Sequence, residues 1–249
     1  MFRKVFLMTT MLFESTEDQN FHIFNFSHVF QPIYYLADHC IAGYEGLIRS
    51  FEIQNPEMLF AMAKQNGKLY DLDIFSIVRT ISTFEYKATA AASSQLSVNI
   101  FPSTLLEPAF LWKIDDIMKN TSLKPEQITF ELNEAESVVS LNRLKEVVQH
   151  LKSLGFRIAL DDLGKGQSSL RIALELEPDI IKLDRYFCEN LAESLKKQKF
   201  LDWIASYFIS EGVAVTLEGI ETAEQLLIAR QAGIQLGQGY YLGRPSTHL

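Results

Sequence analysis

Residues 126–162 read EQITFELNEAESVVSLNRLKEVVQHLKSLGFRIALDD, and the fold class follows from them. The segment opens with a short run rich in β-branched and aromatic residues, 126–132, which predicts a strand. Val138, Leu141, Leu144, Val147, Val148 and Leu151 then recur at i, i+3, i+4 spacing, so 137–154 predicts a helix with one apolar stripe. Gly155 stands where a helix C′ glycine belongs. A second apolar run, 156–162, follows at once. A strand–helix–strand unit of this kind implies a parallel sheet.

The unit repeats in both directions. Further strands are expected at 29–36, 41–47, 95–100, 179–184, 213–218 and 235–240. Helices are expected at 56–66, 70–91, 103–117, 167–175, 190–211 and 222–233, the long one before Gly212 ending in the same way as 137–154. Seven or eight units in about 220 residues point to a (β/α) barrel, with a doubly wound open sheet as the competitor. The composition agrees with a folded domain. Of 249 residues, 47% are hydrophobic and 22% charged, which argues against disorder. Two cysteines, Cys40 and Cys188, are too few for a disulfide framework and favour a reducing, cytoplasmic setting. A net charge of −8 argues against duplex nucleic acid as a partner. No apolar run is long enough to span a membrane. Arg3 and Lys4 precede an apolar stretch, but Thr9 and Thr10 interrupt it and Glu14, Glu17 and Asp18 follow. Residues 1–27 therefore read as an N-terminal extension or docking segment rather than a signal peptide.

The strands share a polar ending: Glu45, Asn99, Glu131, Asp161 with Asp162, Lys182 with Asp184, Glu218 and Gln238. One such residue is ordinarily a helix cap. Seven in succession imply convergence on one face of a barrel, where such folds carry their chemistry. Burying five or more carboxylates together without cations costs several kcal/mol each. The cluster therefore predicts divalent cations on oxygen ligands, Mg²⁺ or Mn²⁺ before Zn²⁺, since no His or Cys stands at a strand end. The five histidines read as structural or exposed. Tyr34, Tyr35, Tyr240, Tyr241 and the two tryptophans read as packing residues. Two other chemistries remain to be weighed: a Schiff base on Lys182 in an aldolase-like barrel, and glycoside hydrolysis by paired carboxylates, which gives Asn99 and Lys182 no role.

The motifs resemble a known family. Residues 44–49, YEGLIR, resemble the E-A-L-x-R signature of EAL domains, bacterial cyclic di-GMP phosphodiesterases. FQPI at 30–33, LSVN at 96–99, FELNE at 130–134, ALDDLGKGQSSL at 159–170, IKLD at 181–184, EGIET at 218–222, and QGYY with RP at 238–245 resemble the family's other motifs in order. The resemblance covers about 28–246, and the EAL domain is expected to occupy 28–249. It implies a modified TIM barrel with an antiparallel first strand and hydrolysis of cyclic di-GMP to linear pGpG with two Mg²⁺ or Mn²⁺ ions. By the same resemblance Glu45, Asn99, Glu131 and Asp161 hold one ion, and Asp161 bridges to a second beside Asp162, with Glu218 completing the site. Lys182 hydrogen-bonds the nucleophilic water. Gln238 and Asp184 support the waters on the metals, Gln31 and Arg49 contact substrate, and Glu134 and Glu221 tether the loop 163–170.

Several positions depart from the pattern. Gly46 replaces Ala, for which a modest effect is expected. Leu163, Lys165 and Gln167 replace Phe, Thr and Tyr in the loop, and Lys165 adds a positive charge near the cations. A non-catalytic receptor or adaptor is the alternative these changes raise. Adaptors usually lose several ligand residues, and this chain keeps the set. The resemblance also implies a homodimer, and with no sensor module recognisable in the sequence, regulation is expected to come from expression, a protein partner or self-association.

Overall fold

The structure, a computed structural model, describes residues 24–87, 94–133, 140–164 and 169–249. Eight strands close into one barrel in sequence order. They are β1 (Phe26–Tyr35), β2 (Ile41–Ser50), β3 (Gln95–Ile100), β4 (Ile128–Asn133), β5 (Arg157–Leu163), β6 (Ile180–Leu183), β7 (Ala214–Leu217) and β8 (Leu236–Gly237). The expected barrel, not the open sheet, is the architecture. β1 runs antiparallel to β2 and to β8, and every other neighbour is parallel. The reason lies in the linkers. Only residues 36–40 join β1 to β2, enough for a hairpin and too few for the dozen or more that a parallel crossover needs. Asp38 Oδ1 accepts from Cys40 N at 2.9 Å, and His39 takes φ 60° to close the turn.

Helices fill the crossovers. They are α1 (Pro56–Gln65), α2 (Leu69–Lys87), α3 (Pro102–Leu105), α4 (Phe110–Lys119), α5 (Leu141–Ser153), α6 (Ser169–Leu176), α7 (Leu195–Ser210) and α8 (Ala223–Gln231). Thr222 starts α8 with a capping box: its side chain accepts from Gln225 N, and Gln225 answers onto Thr222 N. The helix expected at 103–117 is two helices, because Pro108 has no N–H to continue the ladder. The helix expected from 190 starts at Leu195, where Ser194 caps it. The strand expected at 29–36 begins at Phe26, because it pairs along the whole of β2. Val138, Glu134, Lys165, Gly166 and Gln167 lie outside the described residues.

The main core lies between barrel and helices, with Phe30, Phe84, Phe110, Phe130, Ile158, Ile181 and Leu217 fully buried. A smaller cluster of Phe26, Ile48, Leu59, Ala63 and Leu72 sits under α1. The packing assigned to the tryptophans is overturned: Trp112 is 81% and Trp203 57% exposed. The buried stripe of α4 is Phe110, Ile114 and Ile117, and Trp112 falls off it. Tyr35, Tyr240 and Tyr241 are about half exposed as well. His28 is buried as a structural group, hydrogen-bonded to Ser76, while His39, His150 and His248 are exposed. Both cysteines are free thiols. Among the described residues no helix is long and apolar enough to cross a membrane.

Candidate active site

Parallel strands place their C-terminal ends on one face, and the polar residues meet there around Lys182. Its Nζ lies 2.7 Å from Glu218 Oε1, 2.8 Å from Glu131 Oε2, 3.2 Å from Asp161 Oδ1 and 3.4 Å from Glu45 Oε2. Asn99 and Lys182 stand one residue before the ends of β3 and β6, while Glu218 and Gln238 directly follow β7 and β8. Glu45 is the exception, since β2 continues past it to Ser50 as half of the hairpin with β1. Its carboxylate reaches the ring because mid-strand alternation turns it inward. There Asn99 Nδ2 donates to Oε1 at 2.9 Å and Gln238 Nε2 donates to Oε2 at 2.7 Å.

Asp162 required a local irregularity. Consecutive residues of a regular strand point to opposite faces, so Asp161 in the ring would send Asp162 away. Asp162 instead takes φ 58°, and the pairing of β5 with β6 shifts register between Leu160 and Leu163. As a result Asp161, Asp162 and Glu218 each offer a carboxylate oxygen within 4.8 Å of the others. Strain of this kind, about 1–3 kcal/mol per residue, persists where the surroundings hold it.

The ring sets its own electrostatics. Burial alone would neutralise Lys182, but Asp161, Glu131, Glu218 and Glu45 reverse that and hold its ammonium well above the usual lysine range. An ammonium ion-paired to four carboxylates at 2.7–3.4 Å is placed as a charge partner and not as a free amine, which argues against the Schiff-base reading. Burial pushes Glu218 up to about 8, with Lys182 opposing and Asp161 and Glu45 adding to the rise. Glu131 and Asp161 are raised too, first by burial. For Glu45, burial raises the pKa, but Lys182, Asn99 and Gln238 together outweigh it and the net shift is downward.

Among the described residues, four carboxylates (Glu45, Glu131, Asp161, Glu218) share the Lys182 ammonium in a largely buried site, with Asp162 beside Asp161 and Glu218, so negative charge outweighs positive on this ring. Asp161 Oδ1 is within ion-pair range of Lys182 but lacks hydrogen-bond alignment, and Gln238 Oε1 is buried with no hydrogen-bond partner among the described residues. An all-oxygen donor set with surplus negative charge and unsatisfied acceptors fits hard divalent cations.

The EAL domain profile matches residues 17–245. The chain belongs to the EAL domain family. The probable cyclic di-GMP phosphodiesterase PdeA of Escherichia coli (strain K12) is 28% identical over 61% of this chain and 21% of its own length. The blue light- and temperature-regulated antirepressor BluF of the same organism is 26% identical over 84% of this chain and 52% of its own. The chain thus spans about half or less of these curated relatives. A solved structure, the manganese and cyclic di-GMP complex of Klebsiella pneumoniae BlrP1 at pH 9.0, superposes with a TM-score of 0.81. It is 26% identical and covers 89% of this chain and 56% of that one.

Other residues of the EAL motifs hydrogen-bond to partners outside the ring, although Gln31 is paired directly across from Glu45 on β1. The Gln31 side chain is buried and donates to Gly243 O at 3.1 Å, tying β1 to the C-terminal segment. Arg49 Nη1 donates to Ile48 O at 2.8 Å. The Asp184 carboxylate accepts from Tyr186 N at 2.8 Å and caps the 3-10 turn Arg185–Phe187. Glu221 is exposed and lines an open cleft with Tyr240, Tyr241 and Arg244, where the Arg244 guanidinium lies 4.2 Å from the Tyr240 ring centre. Gly164 takes φ 107°, a left-handed backbone that glycine adopts without strain. Glu134 lies outside the described residues. No sequence signal showed Lys182 as the hub of four carboxylates, nor Thr80 of α2 facing Gly46 behind the ring.

Proposed function

We propose that the chain is a metal-dependent phosphodiesterase that hydrolyses cyclic di-GMP to linear pGpG. The observation that carries this reading is the convergence, among the described residues, of four carboxylates around Lys182 on one face of the barrel, with Asp162 and the Asn99 amide beside them. The kinship with PdeA, a probable cyclic di-GMP phosphodiesterase, and with a protein solved with manganese and that nucleotide supports it. Two Mg²⁺ or Mn²⁺ ions would offset the ring's excess of negative charge. Glu45, Asn99, Glu131 and Asp161 would hold one, and Asp161, Asp162 and Glu218 the other. When bound, such ions neutralise the phosphodiester, activate the attacking water and steady the leaving oxygen.

The chain's own residues do the rest. Asn99 and Gln238 fix the two oxygens of Glu45 and so aim that carboxylate. Lys182, held charged, keeps the ring from opening and offers an N–H at the reacting centre. Arg49 is assigned to a substrate phosphate, where a guanidinium binds two oxygens at once. Gln31 and Asp184 are assigned to the rest of the dinucleotide and its ordered water, and Glu134 and Glu221 to tethering the loop 163–170. The test is to incubate the purified protein with cyclic di-GMP and Mn²⁺ and to separate the products by chromatography. Product pGpG that vanishes with chelator and in Glu45→Ala supports the reading. Saturable nucleotide binding without product would sink it and make the chain a receptor.

A further inference from the structure

Position 46 is where the chain departs from the E-A-L pattern, and the packing behind it is specific. Glu45 turns into the barrel, so its neighbours Tyr44 and Gly46 turn outward to α2. The Tyr44 ring meets Phe84, with ring centres 6.1 Å apart. One helical turn earlier, Thr80 stands over Gly46. A Cβ built at Gly46 would come closer than 3.0 Å to Thr80 Cγ2, 3.5 Å from Thr80 Cβ and 3.6 Å from Ser97 O. Thr80 is fully buried, and its Oγ1 donates to Ser76 O at 2.8 Å. Ser76 Oγ in turn lies 3.0 Å from His28 Nε2 on β1. Rotating Thr80 to move its methyl aside would take the hydroxyl off that carbonyl and leave it buried and unpaired.

We propose that Gly46 and Thr80 act as one unit, in which the Thr80 methyl takes the volume of a side chain at 46 and so positions β2 and the Glu45 carboxylate. Thr80 is thus a positioning residue that acts through Glu45. An alanine at 46 needs about 1 Å of added separation between β2 and α2 to restore ordinary carbon contact. Glu45 is the adjacent residue and is held by Asn99, Gln238 and Lys182 over only 2.7–3.4 Å, so a displacement of that size takes it out of the ring. The inference rests on the reading of Glu45 as a metal-binding carboxylate.

The experiment compares wild type, Gly46→Ala, Thr80→Ser and the double variant in the full chain. Mn²⁺ affinity is measured by calorimetry, and melting temperature is measured in chelator. Thr80→Ser removes only the methyl and keeps the hydroxyl bond. Gly46→Ala is expected to weaken Mn²⁺ about 10-fold or more, the scale of losing a group that orients a metal ligand. The double variant is expected to recover to within about 3-fold of wild type, a non-additive rescue expected of two residues in contact. Should Gly46→Ala fail to fold, a double variant that folds and binds Mn²⁺ supports the unit. Wild-type affinity in Gly46→Ala, or a double variant no better than the single, overturns it. Wild-type protein that takes up no Mn²⁺ overturns the metal reading and this inference with it, whereas one isotherm shared by all four proteins overturns the inference alone.

Discussion

Replacing Lys182 with methionine keeps most of the side-chain volume and removes the charge at the hub of the site. Four carboxylates lose their shared cation, with contacts of 2.7, 2.8, 3.2 and 3.4 Å. Lys182 is 1% exposed, so water does not take its place without opening the barrel. Removing one partner of a buried ion pair costs about 3–5 kcal/mol. At about 2–4 °C per kcal/mol for a domain of this size, the metal-free variant melts about 6–20 °C below wild type at pH 8. The deficit narrows on acidification. Without the ammonium each of the four ring carboxylates, Glu45 included, moves upward, and a carboxylate whose folded pKa is raised adds stability below that pKa and loses it as pH rises through it. Differential scanning calorimetry in chelator at pH 8 and pH 6 reads both effects. A Lys182→Met variant melting within about 2 °C of wild type at pH 8 would refute the hub assignment.

Glu131→Gln leaves the fold intact and lowers cyclic di-GMP hydrolysis by at least about 100-fold, because an amide replaces a carboxylate at the ring; initial rates at saturating Mn²⁺ measure it. Mn²⁺ addition at pH 7 releases protons, since Glu218, pushed up to about 8 by burial, must ionise to take a cation; acidification of a weakly buffered solution reports it, and no pH change would count against the ring as the site of uptake. His28 is held down to about 3 by burial and then by Arg79 and Arg49, so between pH 6.5 and 3 the unfolded chain binds a proton that the folded one refuses. Stability is lost as pH falls through that window, and the deficit of His28→Gln against wild type in urea titrations narrows by about 1–2 kcal/mol from pH 6.5 to pH 5.

The barrel was legible in the sequence because each strand–helix unit carries its own period and its own polar ending. The antiparallel first strand came from the family resemblance, though the five residues 36–40 contain its physical cause. Helix boundaries were missed where a local group overrode the apolar stripe, as Pro108 does between α3 and α4 and Ser194 at the start of α7. The ring residues Asn99, Glu131, Asp161, Glu218 and Gln238 were legible as types at strand ends, whereas Glu45 lies in mid-strand because β2 runs on to Ser50. Their mutual geometry was not legible. Strand alternation alone points Asp162 away from Asp161, and only the left-handed backbone at Asp162 reverses this. Gly46 read as a mild loosening of the strand, whereas it lies under Thr80, a contact between residues 34 positions apart that no local pattern encodes. The exposed Trp112 and Trp203 show the converse: apolar character without the right helical phase does not bury a side chain.

The claim on which the account depends is that the carboxylate ring is a divalent-cation site. The direct test is the number of Mn²⁺ ions bound per chain at saturation, by equilibrium dialysis with metal analysis, on wild type and Glu131→Gln. Two ions per wild-type chain and a loss in the variant are expected. Protein that retains no Mn²⁺, or a variant that retains as much as wild type, would contradict it.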